Sequence, residues 1–211
     1  MQLIARYRNS GFEAVADGVM AFFDQRHDLH RAGVAFGNAS SDGNDMPTKV
    51  STDISLLSID RSDPDAFALS QVILRGVNAA LDRYLQEHPL FKECCPDQAL
   101  FVNPIFNLQR YAPGEGFKSW HCDWTIRDDA TEPSRRVLAW ILYCNDVESA
   151  GTEFHWQKHH QEADRGALII FPAGLSHIHR GRVSESHSKT IATGWINAGE
   201  RDAYILRLGN D

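Results

Sequence analysis

The chain has 211 residues, 43% of them hydrophobic and 10% aromatic, enough for one substantial core and ordinary for a globular domain. Its formal charge of -7 argues against an extended phosphate-binding surface, which needs Lys and Arg in clustered excess. The opening MQLIARYRNSGFEAV holds no signal-peptide stretch and no apolar run is long enough to span a membrane, so the expectation is a cytoplasmic protein with neither nucleic-acid nor membrane partner.

LIARY reads as a short strand closed by the turn signal Asn9-Ser10-Gly11. From Phe12 to about Asp28 the apolar positions Val15, Val19, Phe22 and Phe23 recur at helical spacing. The turn-rich stretch 37–48 reads as a loop, and Val50 to Leu57 as a strand. Asp63-Pro64 is a helix start, Asp accepting from free backbone N–H groups and Pro fitting the first helical position. The apolar stripe that follows, Leu69 through Tyr84, predicts a helix ending before Pro89.

After Ala99 the texture changes to short apolar runs broken by Gly, Pro, Asn and Asp. Eight candidate strands follow: ALFVNPIFNLQRY, FKSWHCD, RRVLAWILYC, TEFHW, GALIIFP, HIHRGRV, KTIATGWI and AYILRL. Such a series suggests an all-β sandwich, for which a jelly roll is the eight-stranded solution. We therefore expect one α+β domain over 1–211: a helical part at 1–98 bracing one face of a jelly-roll core at 99–208. Cys94, Cys95, Cys122 and Cys144 lack CxxC spacing and are expected to remain thiols.

The chemistry centres on His121-Cys122-Asp123. In a strand, alternate side chains share a face, so His121 and Asp123 would project together. By itself the pair is common by chance in a chain with ten His. His179 is the candidate third ligand, and two imidazoles with one carboxylate on one side of a metal is the arrangement of non-haem Fe(II) oxygenases. Lys189, ten residues after His179, is a cation able to receive an acidic co-substrate. His177 shares a face with His179 if the segment is extended; the spacing to Lys189 favours His179, leaving His177 as a residue behind the ligand. His155, His159, His160 and His187 read as solvated loop positions, with a second metal site as the alternative.

In order along the chain stand Tyr111, Gly114, His121, Asp123, Arg136, Tyr143, Asn145-Asp146, Gly151-Thr152, Phe154, Gly166, Phe171-Pro172, His179, Lys189 and Trp195. This order resembles the 2-oxoglutarate- and Fe(II)-dependent oxygenases, in their prolyl 4-hydroxylase-like branch, over roughly 107–196, with Ala150 in place of the first Gly of a usual pair. The resemblance implies a double-stranded β-helix (jelly roll) in which His121, Asp123 and His179 hold Fe(II). It implies that Lys189 anchors the distal carboxylate of 2-oxoglutarate, and that Tyr111 and Tyr143 offer hydroxyl donors to this co-substrate. It places Arg136 and Trp195 on the substrate side and carries ascorbate as a reductant.

The implied reaction consumes O2 and 2-oxoglutarate, releases succinate and CO2, and hydroxylates an unactivated C–H bond, first a prolyl or other amino-acid side chain in a protein or peptide. The alternatives are a free amino acid or another small metabolite as substrate, a nucleic-acid demethylase of similar chemistry, and a non-catalytic cupin-like metal- or ligand-binding module. The stretches 37–48 and 126–134 are candidate lids.

Overall fold

The computed structural model describes residues 3–35, 48–94, 100–124 and 135–208; both candidate lids (apart from Thr48) and Cys95 lie outside the described residues. In chain order the elements are β1 (Ala5–Arg8), α1 (Ser10–Gln25), β2 (Arg31–Ala32), β3 (Lys49–Val50), β4 (Thr52–Leu57), α2 (Pro64–Glu87), α3 (Leu90–Cys94), β5 (Leu100–Tyr111), β6 (Gly116–Phe117), β7 (Arg136–Tyr143), β8 (Val147–Phe154), β9 (His159–Ala163), β10 (Ala167–Pro172), β11 (His179–Gly181), β12 (Lys189–Ala198) and α4 (Arg201–Leu208). Seven strands form one sheet in the order β1-β10-β7-β12-β5-β4-β2, three form a second in the order β11-β8-β9, and β3 pairs with β6 as a separate ribbon. The architecture is α+β, a jelly roll with helices against one face.

Both long helices start as their sequences dictate. The Asn9 side chain accepts from Phe12 N and caps α1, so the expected turn is a helix cap. Asp63 accepts from the N–H groups of Asp65 and Ala66, with Pro64 in the first turn of α2.

Strand alternation then divides the core in two. Leu138, Trp140 and Leu142 of β7, with Leu168 and Ile170 of β10 and Ala192 and Ile196 of β12, pack with Phe12, Val19, Phe23, Ile73, Val77 and Tyr84 of the helices. Their neighbours Ala139, Ile141, Tyr143, Ile169, Phe171 and Ile191 face the other way, onto Ala150 and Phe154 of the small sheet. Burial on both faces explains why RVLAWILY and ALIIFP are almost continuously apolar.

Two local expectations differ from the structure. AYILRL lies in helix α4: Tyr204 N bonds to Glu200 O after the left-handed Gly199 (φ 116°), and the Tyr204 ring packs on Phe101. Leu206, 70% exposed, faces solvent. His159 and His160 open strand β9 beside β8 instead of lying in a loop. The half of the chain before Ala99 also supplies β1, β2 and β4 to the large sheet, so it completes the jelly roll as well as bracing it.

Candidate active site

His121 and Asp123 do not sit in a regular strand. The loop after β6 meets β11 at a single antiparallel bridge, with His121 N to His179 O at 3.0 Å and His179 N to His121 O at 2.9 Å. Asp123 N then bonds to Ala173 O at 2.9 Å. These three backbone bonds bring the candidate ligand atoms of His121, Asp123 and His179 within 4.8 Å of one another.

The two rings are also oriented. His121 Nδ1 lies 3.0 Å from Ser119 O and His179 Nδ1 lies 3.0 Å from His177 O. A carbonyl only accepts, so each Nδ1 carries the proton and each Nε2 keeps its lone pair for a cation. His179 Nε2 stands 3.8 Å from Asp123 Oδ2. Phe117 stacks on His121 with centroids 3.6 Å apart and planes at 6°. Burial, the neighbouring His179 and Lys49 together outweigh the opposing pull of Asp123 and Ser119, so the His121 pKa falls to about 4. Two imidazoles with one carboxylate are a fitting donor set for Fe(II).

Lys189 is 5% exposed at the start of β12, opposite Tyr111 of β5. Its ammonium donates to Ala150 O at 2.5 Å and Arg182 O at 2.9 Å, and lies 5.2 Å from the centre of the Tyr111 ring. Among the described residues no carboxylate pairs with it. Burial lowers its pKa to about 8. The carbonyl at the position where Ala150 replaces glycine is thus one of its two ties.

Tyr111 and Tyr143 are both buried in the core between the sheets. Tyr111 donates to Gln109 Oε1 at 2.6 Å, and the Tyr143 hydroxyl is hydrogen-bonded to Thr152 Oγ1 at 2.7 Å. Burial raises the pKa of both phenols, with Thr152 opposing at Tyr143. Arg136 and Trp195 come together across β7 and β12: the guanidinium lies 3.5 Å from the centre of the indole ring and donates to Asp123 O at 3.0 Å. Burial lowers the Arg136 pKa, against Asp123 and Tyr204.

His177 is buried behind His179, its Nδ1 3.0 Å from Ser176 Oγ and its carbonyl orienting His179. His155 and His187 are exposed; His160 Nδ1 lies 3.3 Å from Glu162. Among the described residues, His121, Asp123 and His179 form the one cluster able to hold a metal.

Sequence reasoning missed Lys49, Asp53 and Gln109. Lys49 is 4% exposed and its ammonium lies 2.6 Å from Asp53 Oδ2; Gln109 Nε2 donates to the same oxygen at 3.4 Å. A signal existed for Gln109 alone, two residues before Tyr111 and so on the same strand face.

Residues 106–197 match the family model described as the 2OG-Fe(II) oxygenase superfamily. No curated protein sequence matches the chain. Among solved structures, a viral collagen prolyl hydroxylase from Paramecium bursaria Chlorella virus-1, in its 2OG complex, is similar at 17% identity and TM-score 0.63, covering 94% of this chain and 97% of that one. A Pseudomonas putida prolyl-4-hydroxylase matches at 17% identity and TM-score 0.60, over 93% of this chain and 92% of that one. A Trichoplax adhaerens prolyl hydroxylase, in complex with a hypoxia inducible factor oxygen degradation domain peptide fragment, matches at 12% identity and TM-score 0.60, over 92% and 83%. The stretch 106–197, which includes the His-Asp-His cluster, is thus similar to the 2OG-Fe(II) oxygenase superfamily, and the chain shares the fold of these solved prolyl hydroxylases.

Proposed function

We propose that His121, Asp123 and His179 hold Fe(II), that Lys189 anchors 2-oxoglutarate, and that the enzyme hydroxylates an amino-acid side chain, first a prolyl residue, within a polypeptide. The observation that carries this reading is the pairing of a three-ligand cluster within 4.8 Å with a buried ammonium that, among the described residues, meets two carbonyls and the Tyr111 ring but no carboxylate. With 2-oxoglutarate and O2, bound iron would supply oxidative decarboxylation to succinate and CO2 coupled to hydroxylation of a C–H bond.

The chain's own contribution is to orient and to exclude. Ser119 and His177 hold the imidazole protons away from the metal position through their carbonyls. A desolvated carboxylate is costly unless a fixed cation meets it, and Lys189 waits in that state. The Tyr143–Thr152 hydroxyl pair adds a donor on the same inner face. Phe117 and Phe154 wall the imidazoles against water.

A polypeptide substrate is favoured by the mouth of the site. Trp120 and Trp124 flank the ligands and are 39% and 45% exposed, and Trp156, 60% exposed, donates from its indole nitrogen to Leu175 O. Trp120 meets His155, which meets Trp156, and a Cβ at Gly174, beside Leu175, would touch Trp124. A continuous exposed aromatic rim suits a chain-like partner more than a small metabolite. Arg136, stacked on Trp195, would take a substrate carbonyl or carboxylate. Cys94, Cys122 and Cys144 are free thiols, which supports a cytoplasmic setting, and we assign ascorbate as the reductant. Among the described residues, no helix is long and apolar enough to cross a membrane.

The test is succinate release from 2-oxoglutarate with a panel of prolyl peptides and free amino acids, product mass being read for one added oxygen. Turnover should require Fe(II), disappear on chelation, and be absent in His121→Ala and Asp123→Ala. Iron-independent turnover would refute the reading; oxygen added to free amino acids alone would move the substrate to the small-metabolite class.

A further inference from the structure

A largely buried polar chain runs from the third strand to Tyr111, beside the Lys189 ammonium, and the proposed reaction does not use it. Lys49 Nζ donates to Asp53 Oδ2 at 2.6 Å, Ser51 Oγ to Asp53 Oδ1 at 2.7 Å, Gln109 Nε2 to Asp53 Oδ2 at 3.4 Å, and Tyr111 Oη to Gln109 Oε1 at 2.6 Å. Lys49, Ser51, Gln109 and Tyr111 are each at most 8% exposed, which limits water as a substitute partner.

The chemistry of the links gives the chain a direction. Asp53, facing an ammonium, is an acceptor on both oxygens. The side of Gln109 that faces it must therefore be the NH2, since a carbonyl turned there would set two acceptors together. That turns Gln109 Oε1 toward Tyr111, and an amide oxygen can only accept, so the phenol proton lies on the bond to Gln109. The Tyr143–Thr152 contact carries no such bias: each hydroxyl can donate to the other, leaving one proton free for a third group.

We propose that Lys49, Asp53 and Gln109 are positioning residues that lock the Tyr111 hydroxyl proton away from the pocket, so that Tyr111 presents a lone pair there and the Tyr143–Thr152 pair supplies the hydroxyl donor. This rests on the 2-oxoglutarate reading of the pocket and reverses the donor role that the family resemblance implies for Tyr111.

Two measurements on Mn(II)-loaded protein test it. Without co-substrate, the tyrosine Fermi doublet in the Raman difference between wild type and Tyr111→Phe reports whether this phenol donates or accepts. The donor signature is expected in the wild type and should vanish in Gln109→Leu, which leaves the Lys49–Asp53 pair intact. Asp53→Asn should weaken it, but this variant strands a buried ammonium, so Gln109→Leu is the deciding variant. Calorimetric titration with 2-oxoglutarate under argon is the second measurement. Loss of a hydrogen bond to a carboxylate weakens binding by about tenfold or more, so Tyr143→Phe should lose that much. Tyr111→Phe should stay within about threefold of wild type, and Gln109→Leu should bind no more weakly than wild type because a phenol proton is released. An acceptor signature in the wild type, or a donor signature persisting in Gln109→Leu, overturns the proposal, as does a tenfold loss in Tyr111→Phe with none in Tyr143→Phe. If wild-type protein binds no 2-oxoglutarate, the functional reading fails, while the Raman result still decides the direction of the chain.

Discussion

Two buried lysines, one at β3 and one at β12, differ in what neutralises them. Lys49, 4% exposed, has a carboxylate of its own fold at 2.6 Å. Lys189, 5% exposed, has two backbone carbonyls. Carbonyl dipoles hold an ammonium in place without cancelling its charge, so burial shows through as a pKa near 8 at Lys189. A cation satisfied by its own chain organises structure, and one left incompletely compensated is ready for an anion from outside.

The largest expected effect breaks that readiness. Lys189→Met should reduce 2-oxoglutarate-dependent succinate formation by about a hundredfold or more, since a desolvated carboxylate would meet no cation. The same change should stabilise the fold. Lowering of the lysine pKa from 10.5 to about 8 corresponds to about 3 kcal/mol. The sign follows from the proton: below pH 8 the folded chain must keep the amine charged in a dry site, so the cost is fully present there and fades as pH rises toward the unfolded value. Urea unfolding at neutral pH should show a gain of up to about 3 kcal/mol; a loss would mean that the ammonium is structural.

The converse holds at the other lysine. Asp53→Ala strands a buried charge and should cost about 3–5 kcal/mol in urea unfolding, whereas replacing both partners together, Lys49→Met with Asp53→Leu, should recover most of it. Failure of the double variant to recover would show that Asp53 matters for more than Lys49.

A smaller effect sharpens the comparison by pH. Affinity of the Mn(II)-loaded protein for 2-oxoglutarate should be flat up to about pH 8, the Lys189 value, and then weaken by about tenfold per pH unit as the ammonium is lost. Flat calorimetric affinity through pH 9 would remove Lys189 from the contact. The smallest expected effect is at Arg136, where lysine keeps the charge and loses the planar stack on Trp195. Arg136→Lys should raise peptide KM by about three- to tenfold with kcat nearly unchanged.

How much of this was legible follows from range. Lys189 could be singled out because a fixed spacing ties it to His179, and β11 and β12 keep that spacing in three dimensions. Lys49 could not: its environment is made by β6, β4 and β5, contributed by segments far along the chain, and no periodicity in KVSTD signals it. His121 and Asp123 were found for a partly mistaken reason, since a one-bridge loop, not a strand, brings them together. AYILRL has the composition of a strand, but after the left-handed Gly199 the local bond from Tyr204 N to Glu200 O governs and it coils.

By itself, the order of residues determined the fold class, the start of α2 and the identity of the three candidate metal ligands, because these rest on local spacing and chemistry. Only the tertiary structure decided which nitrogen of each imidazole keeps its lone pair free, where each buried lysine finds its partner and which way the Tyr111 proton points. Those depend on carbonyls and carboxylates brought from distant strands, and a hydrogen bond has no direction until both of its ends are in place.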